Sequence, residues 1–194
     1  NVLSEANLDK DEILKLAIEL EGHPDNVAPA IYGNMIIAFM EDGNLYHESI
    51  KVPEEIRFLA MVPDFELSTE KARAVLPKEI PHKHGVFNVS RCALLIAAFT
   101  KNNLDLVKAA CKDKFHQDYR SHLINNYDDI VAYANSLDSL GTFLSGAGPT
   151  IMTLAKDGDD EILDKMKSYL AALPDNWQIL DLHCDPNGAY YKEV

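Results

Sequence analysis

The sequence has no excess of positive charge. Its 194 residues carry 18 lysines and arginines against 31 aspartates and glutamates, a net charge of -13 with histidine neutral. That excludes non-specific nucleic-acid binding, which needs a basic footprint. It also means that an anionic ligand must be met by particular arginines or lysines that reverse the field locally. Cysteine is scarce: Cys92, Cys111 and Cys184 are too few and too scattered for a disulfide framework, and their odd number fits a reducing cytoplasm. The longest apolar run, Cys92 to Phe99, falls far short of the roughly 20 residues of a membrane span, so no membrane partner is expected. Three motifs are missing: a Gly-x-x-x-x-Gly-Lys-[Ser/Thr] loop, a Gly-x-Gly-x-x-Gly turn after a strand, and a Gly-x-Ser-x-Gly elbow. His82 and His84, like His116 and His122, lack cysteines at zinc spacing and read as surface histidines. There is no methionine at the start, and the opening Asn1-Val2-Leu3 suggests a chain without its true beginning.

What is present is ordinary globular composition, 47% hydrophobic and 25% charged, enough for one large domain or two small ones. Asp9 and Glu12 have capping-box spacing, and Ile13, Leu14, Ala17 and Leu20 recur at helical intervals, predicting a helix from about Asp9 to Glu19. Strands follow at Met35 to Met40 and Leu45 to Ile50, joined by the turn Glu41-Asp42-Gly43-Asn44. A boundary is expected near Pro53. Beyond it come a buried strand (Ile56 to Val62), a short helix capped by Ser68 or Thr69, and helices at Val86 to Phe99, Leu104 to Cys111 and Asp128 to Leu137. The tail alternates strands (Thr142 to Leu144, Ile151 to Leu154, Gln178 to Leu182, Ala189 to Lys192) with one helix, Asp160 to Leu170. Such a mixture with hairpin connections is an α+β pattern.

Four segments carry polar groups that chemistry could use. Glu21-Gly22-His23-Pro24-Asp25-Asn26 sets two carboxylates, an imidazole and an amide where glycine and proline stop a helix. Buried without partners they would cost several kcal/mol, so they suit a small polar ligand, or else a capped turn with Asp25 or Asn26 bonded to nearby amides. In Ser68 to Arg73, Thr69 and Arg73 are four apart and share a helix face, which suits a phosphate or carboxylate; the alternative is a plain cap and a solvated arginine. Arg120, near a helix end, is by itself only a surface arginine. Leu144-Ser145-Gly146-Ala147-Gly148-Pro149-Thr150 makes a tight turn whose backbone a ligand can approach closely, beyond what a plain β-turn needs.

In this order the motifs resemble the homoserine branch of the galactokinase, homoserine kinase, mevalonate kinase and phosphomevalonate kinase (GHMP) superfamily. The likeness rests on Glu-Gly-His-Pro-Asp-Asn-Val-Ala-Pro-Ala-Ile-Tyr-Gly at 21–33 and Ser-Thr-Glu-Lys-Ala-Arg-Ala-Val-Leu-Pro at 68–77. It is extended by Asp-Tyr-Arg at 118–120, Leu-Ser-Gly-Ala-Gly-Pro-Thr at 144–150 and Asp-Pro-Asn-Gly-Ala at 185–189. The family's Pro-x-x-x-Gly-Leu-Gly-Ser-Ser-Ala nucleotide loop does not occur in this sequence, and Asn34 stands where the family often has a second glycine. The resemblance implies the remainder of an N-terminal, ribosomal S5-like domain over 1–53 and a ferredoxin-like C-terminal GHMP domain over 54–194.

It also implies an activity: MgATP phosphorylates the hydroxyl of L-homoserine to O-phospho-L-homoserine in threonine biosynthesis, with a homodimer as the assembly. By the same resemblance Asp25 holds the substrate ammonium with His23 beside it, and Arg120 pairs with the carboxylate. Asn26 and Arg73 lie near the reacting hydroxyl and the γ-phosphate with Thr69 beside them, Gly146 lines the acceptor, and Glu21, or alternatively Glu19, binds magnesium. A sister kinase acting on mevalonate or shikimate and a non-catalytic amino-acid-binding module are the competing readings.

Overall fold

A computed structural model describes residues 6–192. They form two compact units, one made of the residues up to Val52 together with those from Cys184 on, the other of Pro53–His183. The split comes one residue from the expected boundary, but the last stretch of chain joins the first unit rather than the second.

In the first unit, α1 (Lys10–Glu21) begins on a complete capping box: the Asp9 side chain accepts from the Glu12 amide, and the Glu12 carboxylate accepts from the Asp9 amide. Its buried face, Leu14 and Ile18, packs with Ala28 of α2 (Val27–Tyr32). Gly22 ends α1 in a left-handed conformation, and the next residues run directly into α2. The antiparallel hairpin of β1 (Met35–Glu41) and β2 (Asn44–Ile50) contributes Ile36, Ala38 and Leu45 to the same small core.

The expected strand Ala189 to Lys192 is not formed. The chain from Asp185 to Ala189 instead gives its backbone groups to the end of α2: the Ala189 amide donates to the carbonyls of Ala30 (2.9 Å) and Ile31 (3.2 Å), and the Asn34 amide donates to the Asp185 carbonyl (2.8 Å). The approach is close enough that a Cβ on Gly33 would lie 2.6 Å from the Gly188 nitrogen. Asn34 has φ +57°, which explains why glycine suits this position, and its side-chain amide donates to the Pro186 carbonyl at 3.2 Å.

The second unit is built on a four-stranded antiparallel sheet of β3 (Ile56–Pro63), β4 (Gly141–Leu144), β5 (Ile151–Lys156) and β6 (Trp177–Leu182), in the order β4-β5-β3-β6. The long excursion between β3 and β4 carries α3 (Thr69–Ala74), α4 (His82–Thr100), α5 (Val107–Ala110), α6 (Gln117–Arg120) and α7 (Tyr127–Ser136), and α8 (Asp160–Leu170) links β5 to β6. This is the split β-α-β arrangement of a ferredoxin-like fold. β3 is central and almost wholly buried, which accounts for its continuous apolar run. Its one charged residue, Arg57, is buried as a fork on Asp181 (2.7 and 2.6 Å) with a further bond to Asp160 (3.0 Å). Ile130 and Ala134 of α7 and Ile162, Met166 and Leu170 of α8 pack with Leu59, Met61, Leu144 and Ile151 to form the core. The predicted helix Leu104 to Cys111 is a 3-10 turn (Leu104–Leu106) followed by the single turn α5.

Candidate functional site

The candidate residues fall into two groups, one on each unit. In the first unit, Glu21 is the last residue of α1 and exposed, as is Glu19. The Asp25 carboxylate lies 2.5 Å from His23 Nδ1 and accepts the Asn26 amide at 3.0 Å through the same oxygen. Asn26 occupies the N-cap position of α2, yet its side chain makes no cap bond. The segment is therefore partly a self-bonded turn, as the simpler reading of the sequence had it, while Asp25 and Asn26 remain exposed.

In the second unit the structure brings together Arg73, Arg120 and Gly146, which are distant in sequence. Ser68 rather than Thr69 caps α3, accepting the Lys71 amide at 3.2 Å, so Thr69 is left at the helix's first position, exposed, one turn before Arg73. Arg120 closes α6. Its Nε–H donates to the Ala72 carbonyl of α3 (2.9 Å), and Nη1 donates to the Gly146 carbonyl (3.1 Å) and faces His116 Nδ1 (3.3 Å). Burial, and then the nearby Arg73 charge, lower the Arg120 pKa, with Asp113 opposing them. Nη2 has no partner among the described residues, so a carboxylate can reach that edge, whereas a bidentate fork must also draw on Nε or Nη1, which are engaged by the Ala72 and Gly146 carbonyls and His116 Nδ1.

The glycine turn is closed by the Ser145 amide on the Thr150 carbonyl (2.9 Å) and the Gly148 amide on the Ser145 carbonyl (2.9 Å). Gly146 has φ +56° and Gly148 φ +84°, and a Cβ on Gly148 would press on Leu144 and Ile124 at 3.0 and 3.1 Å. Both glycines are needed, one for conformation alone and the other for conformation and space. The amides of Gly146 and Ala147 find no acceptor among the described residues, leaving two donors on the rim of the turn.

Several contributors were not legible as site residues. Asp113, its side chain 9% exposed, accepts the amides of Phe115, His116 and Gln117 (3.0, 2.7 and 2.8 Å) and the Asn88 side-chain amide (2.6 Å). Burial works to raise its pKa, but these donors outweigh it and hold the carboxylate below its ordinary value. Gln117 binds Tyr127 and the Leu144 amide through one oxygen. His116 is no surface histidine. It is half-buried, its pKa is lowered by burial and by the Arg120 charge, and its Nδ1 serves as an acceptor facing that guanidinium. The spacing Asp113-x-x-x-Gln117, an Asp ahead of a short helical turn, was the one available signal. Among the described residues no group of three or more His, Cys, Asp or Glu could hold a metal, and no helix is long and apolar enough to cross a membrane.

Residues 95–172 match the family model for the C-terminal region of GHMP kinases. The chain is 48% identical over 188 residues to homoserine kinase of Clostridium botulinum (strain ATCC 19397 / Type A), an alignment covering 97% of this chain and 63% of that protein. Among solved structures it is similar to the homoserine kinase of Cytophaga hutchinsonii, with a TM-score of 0.89, 27% identity and coverage of 97% of this chain and 62% of the other. It is also similar to a putative homoserine kinase of Listeria monocytogenes, with a TM-score of 0.77, 31% identity and coverage of 100% and 65%. The chain therefore spans a little under two thirds of the length of these relatives.

Proposed function

Since the chain belongs to the GHMP kinase family, we propose that it serves the transfer of the γ-phosphoryl group of ATP to the side-chain hydroxyl of L-homoserine. The same reading assigns the reaction to threonine biosynthesis in the cytoplasm. The observation that carries it is Arg120, fixed on the Ala72 and Gly146 carbonyls with one edge uncommitted and a second guanidinium, Arg73, close by. In a chain of net charge -13, two gathered cations are a local reversal of the field, suited to an anionic guest.

Each group has a role in this reading. Arg120 takes the substrate carboxylate through Nη2, and Gly146 lines the acceptor. In the first unit Asp25, held by His23 and the Asn26 amide, offers a carboxylate suited to the ammonium. Arg73 neutralises charge developing on the transferred phosphoryl group, with Thr69 one turn before it on α3. Asn26 cannot accept a proton at neutral pH, and no general base is assigned. The transition state of phosphoryl transfer is loose, so alignment and charge neutralisation supply most of the acceleration. Glu21 is exposed and has no partner among the described residues, and it would be the one carboxylate of this chain to hold magnesium carried in with the nucleotide. When bound with ATP, magnesium supplies further charge neutralisation.

The test is ADP release by the full-length protein with MgATP and a panel of small alcohols. Homoserine is expected to be turned over and mevalonate and shikimate not. Turnover of mevalonate without homoserine refutes the proposal, and homoserine binding without ADP release favours a non-catalytic binding module.

A further inference from the structure

The helix carrying Arg120 has only four residues, Gln117–Arg120, too few to hold its own shape. Its placement must come from side chains. Asp113 fixes its start by accepting three successive amides and is tied in turn to Asn88 of α4, whose Oδ1 accepts the Lys114 amide at 2.9 Å. Gln117 fixes it laterally. Its Oε1 accepts the Leu144 amide (2.8 Å) and the Tyr127 hydroxyl (3.0 Å), and its Nε2 donates to the Cys111 carbonyl (3.3 Å).

Leu144 is the last residue of β4, two residues before Gly146, and Gln117 is three residues before Arg120. The Gln117–Leu144 bond and the Arg120–Gly146 bond thus join the same two segments, one behind the other. The first sets the separation at which the second can form. Tyr127, at the start of α7 and mostly buried, steadies the Gln117 amide.

From this geometry we infer that Gln117 is the positioning residue that holds Arg120 against the glycine turn and so presets the cation for the acceptor's carboxylate. The inference rests on the homoserine reading for its kinetic consequence but not for its structural one. Two measurements on the full-length protein separate them: steady-state kinetics, and the 15N resonance and proton exchange of the Arg120 Nε–H, assigned by its loss in Arg120→Lys.

Gln117→Met, close in size and without polar atoms, is expected to raise the homoserine KM about tenfold, as one or two hydrogen bonds are worth. The ATP KM and kcat stay within about twofold. The Arg120 Nε–H shifts and exchanges faster. Gln117→Glu keeps an acceptor for both Leu144 and Tyr127 and is expected to restore the homoserine KM to within about threefold, together with the resonance. Tyr127→Phe leaves Gln117 in place without its second anchor and moves both readouts part of the way, which keeps the test alive if the Met variant does not fold. An unmoved resonance in the Met variant, or in the Phe variant should the Met variant not fold, overturns the inference. So does a parallel rise in both KM values that Glu does not rescue. If the wild-type protein does not turn over homoserine, the functional reading falls, while the resonance still decides whether Gln117 positions Arg120.

Discussion

Truncating Arg120 separates binding from chemistry. On the proposed reading, Arg120→Ala takes the charge-assisted partner from the acceptor's carboxylate, and such a bond is worth about 1.5–3 kcal/mol. At 1.4 kcal/mol per decade that is a rise of about 10- to 150-fold in the homoserine KM. The fold also loses the part-buried bond to the carbonyl of buried Ala72 and the exposed bond to Gly146, where water can replace the guanidinium, so the cost in stability is about 1–3 kcal/mol. Arg120→Lys keeps the charge but cannot span two carbonyls and still offer a free edge, because an ammonium lacks the planar fork. It should therefore recover part of the KM loss and little of the stability. The assay is initial-rate kinetics with homoserine and ATP varied separately, beside urea unfolding of each variant. If Arg120→Ala raises the two KM values equally, or Lys restores both KM and stability in full, the assigned geometry is wrong.

Three further outcomes follow from the same structure. Arg73→Ala should lower kcat by about 100-fold or more while changing the homoserine KM little, and an unchanged kcat refutes its place at the transferred phosphoryl group. The His116 pKa is lowered, so the folded protein binds fewer protons than the unfolded chain just below pH about 6.5; the stability His116 contributes and its Nδ1 contact with Arg120 are intact above that pH and lost as pH falls through the folded value. A homoserine KM that rises on acidification in the wild type but not in His116→Gln meets this expectation, and identical profiles refute it. Gly33→Ala places a Cβ 2.6 Å from backbone atoms of residues 186 and 188 at φ +77°, and should cost about 2–4 kcal/mol in urea unfolding; a loss under about 1 kcal/mol refutes it.

The sequence was most readable where local chemistry and burial agree. The Asp9–Glu12 capping box placed the start of α1, and the helix expected over Asp160 to Leu170 coincides with α8. α4 begins four residues earlier than periodicity predicts because its first turn is polar and Pro81 supplies no side-chain cap, so no signal marks it. The tail was misread for the opposite reason: Ala189, Tyr190 and Tyr191 look like a strand, but the Ala189 amide finds the helix-end carbonyls of Ala30 and Ile31 rather than a sheet edge. Arg73, Arg120 and Gly146 could be named from motifs. What holds them could not, because Asp113 and Gln117 act through bonds to residues as many as 27 positions away.

The return of Asp185–Ala189 to α2 also sets an order of events during synthesis. The backbone partners of Ala30, Ile31 and Asn34 emerge from the ribosome only after every residue of Pro53–His183 has been made. The larger half is free to fold while the chain is still growing, whereas the half bearing Asp25 and Asn26 must wait for its last clasp. A nascent chain halted short of residue 184 should therefore resist protease over the later-made half and stay open to it over the earlier one.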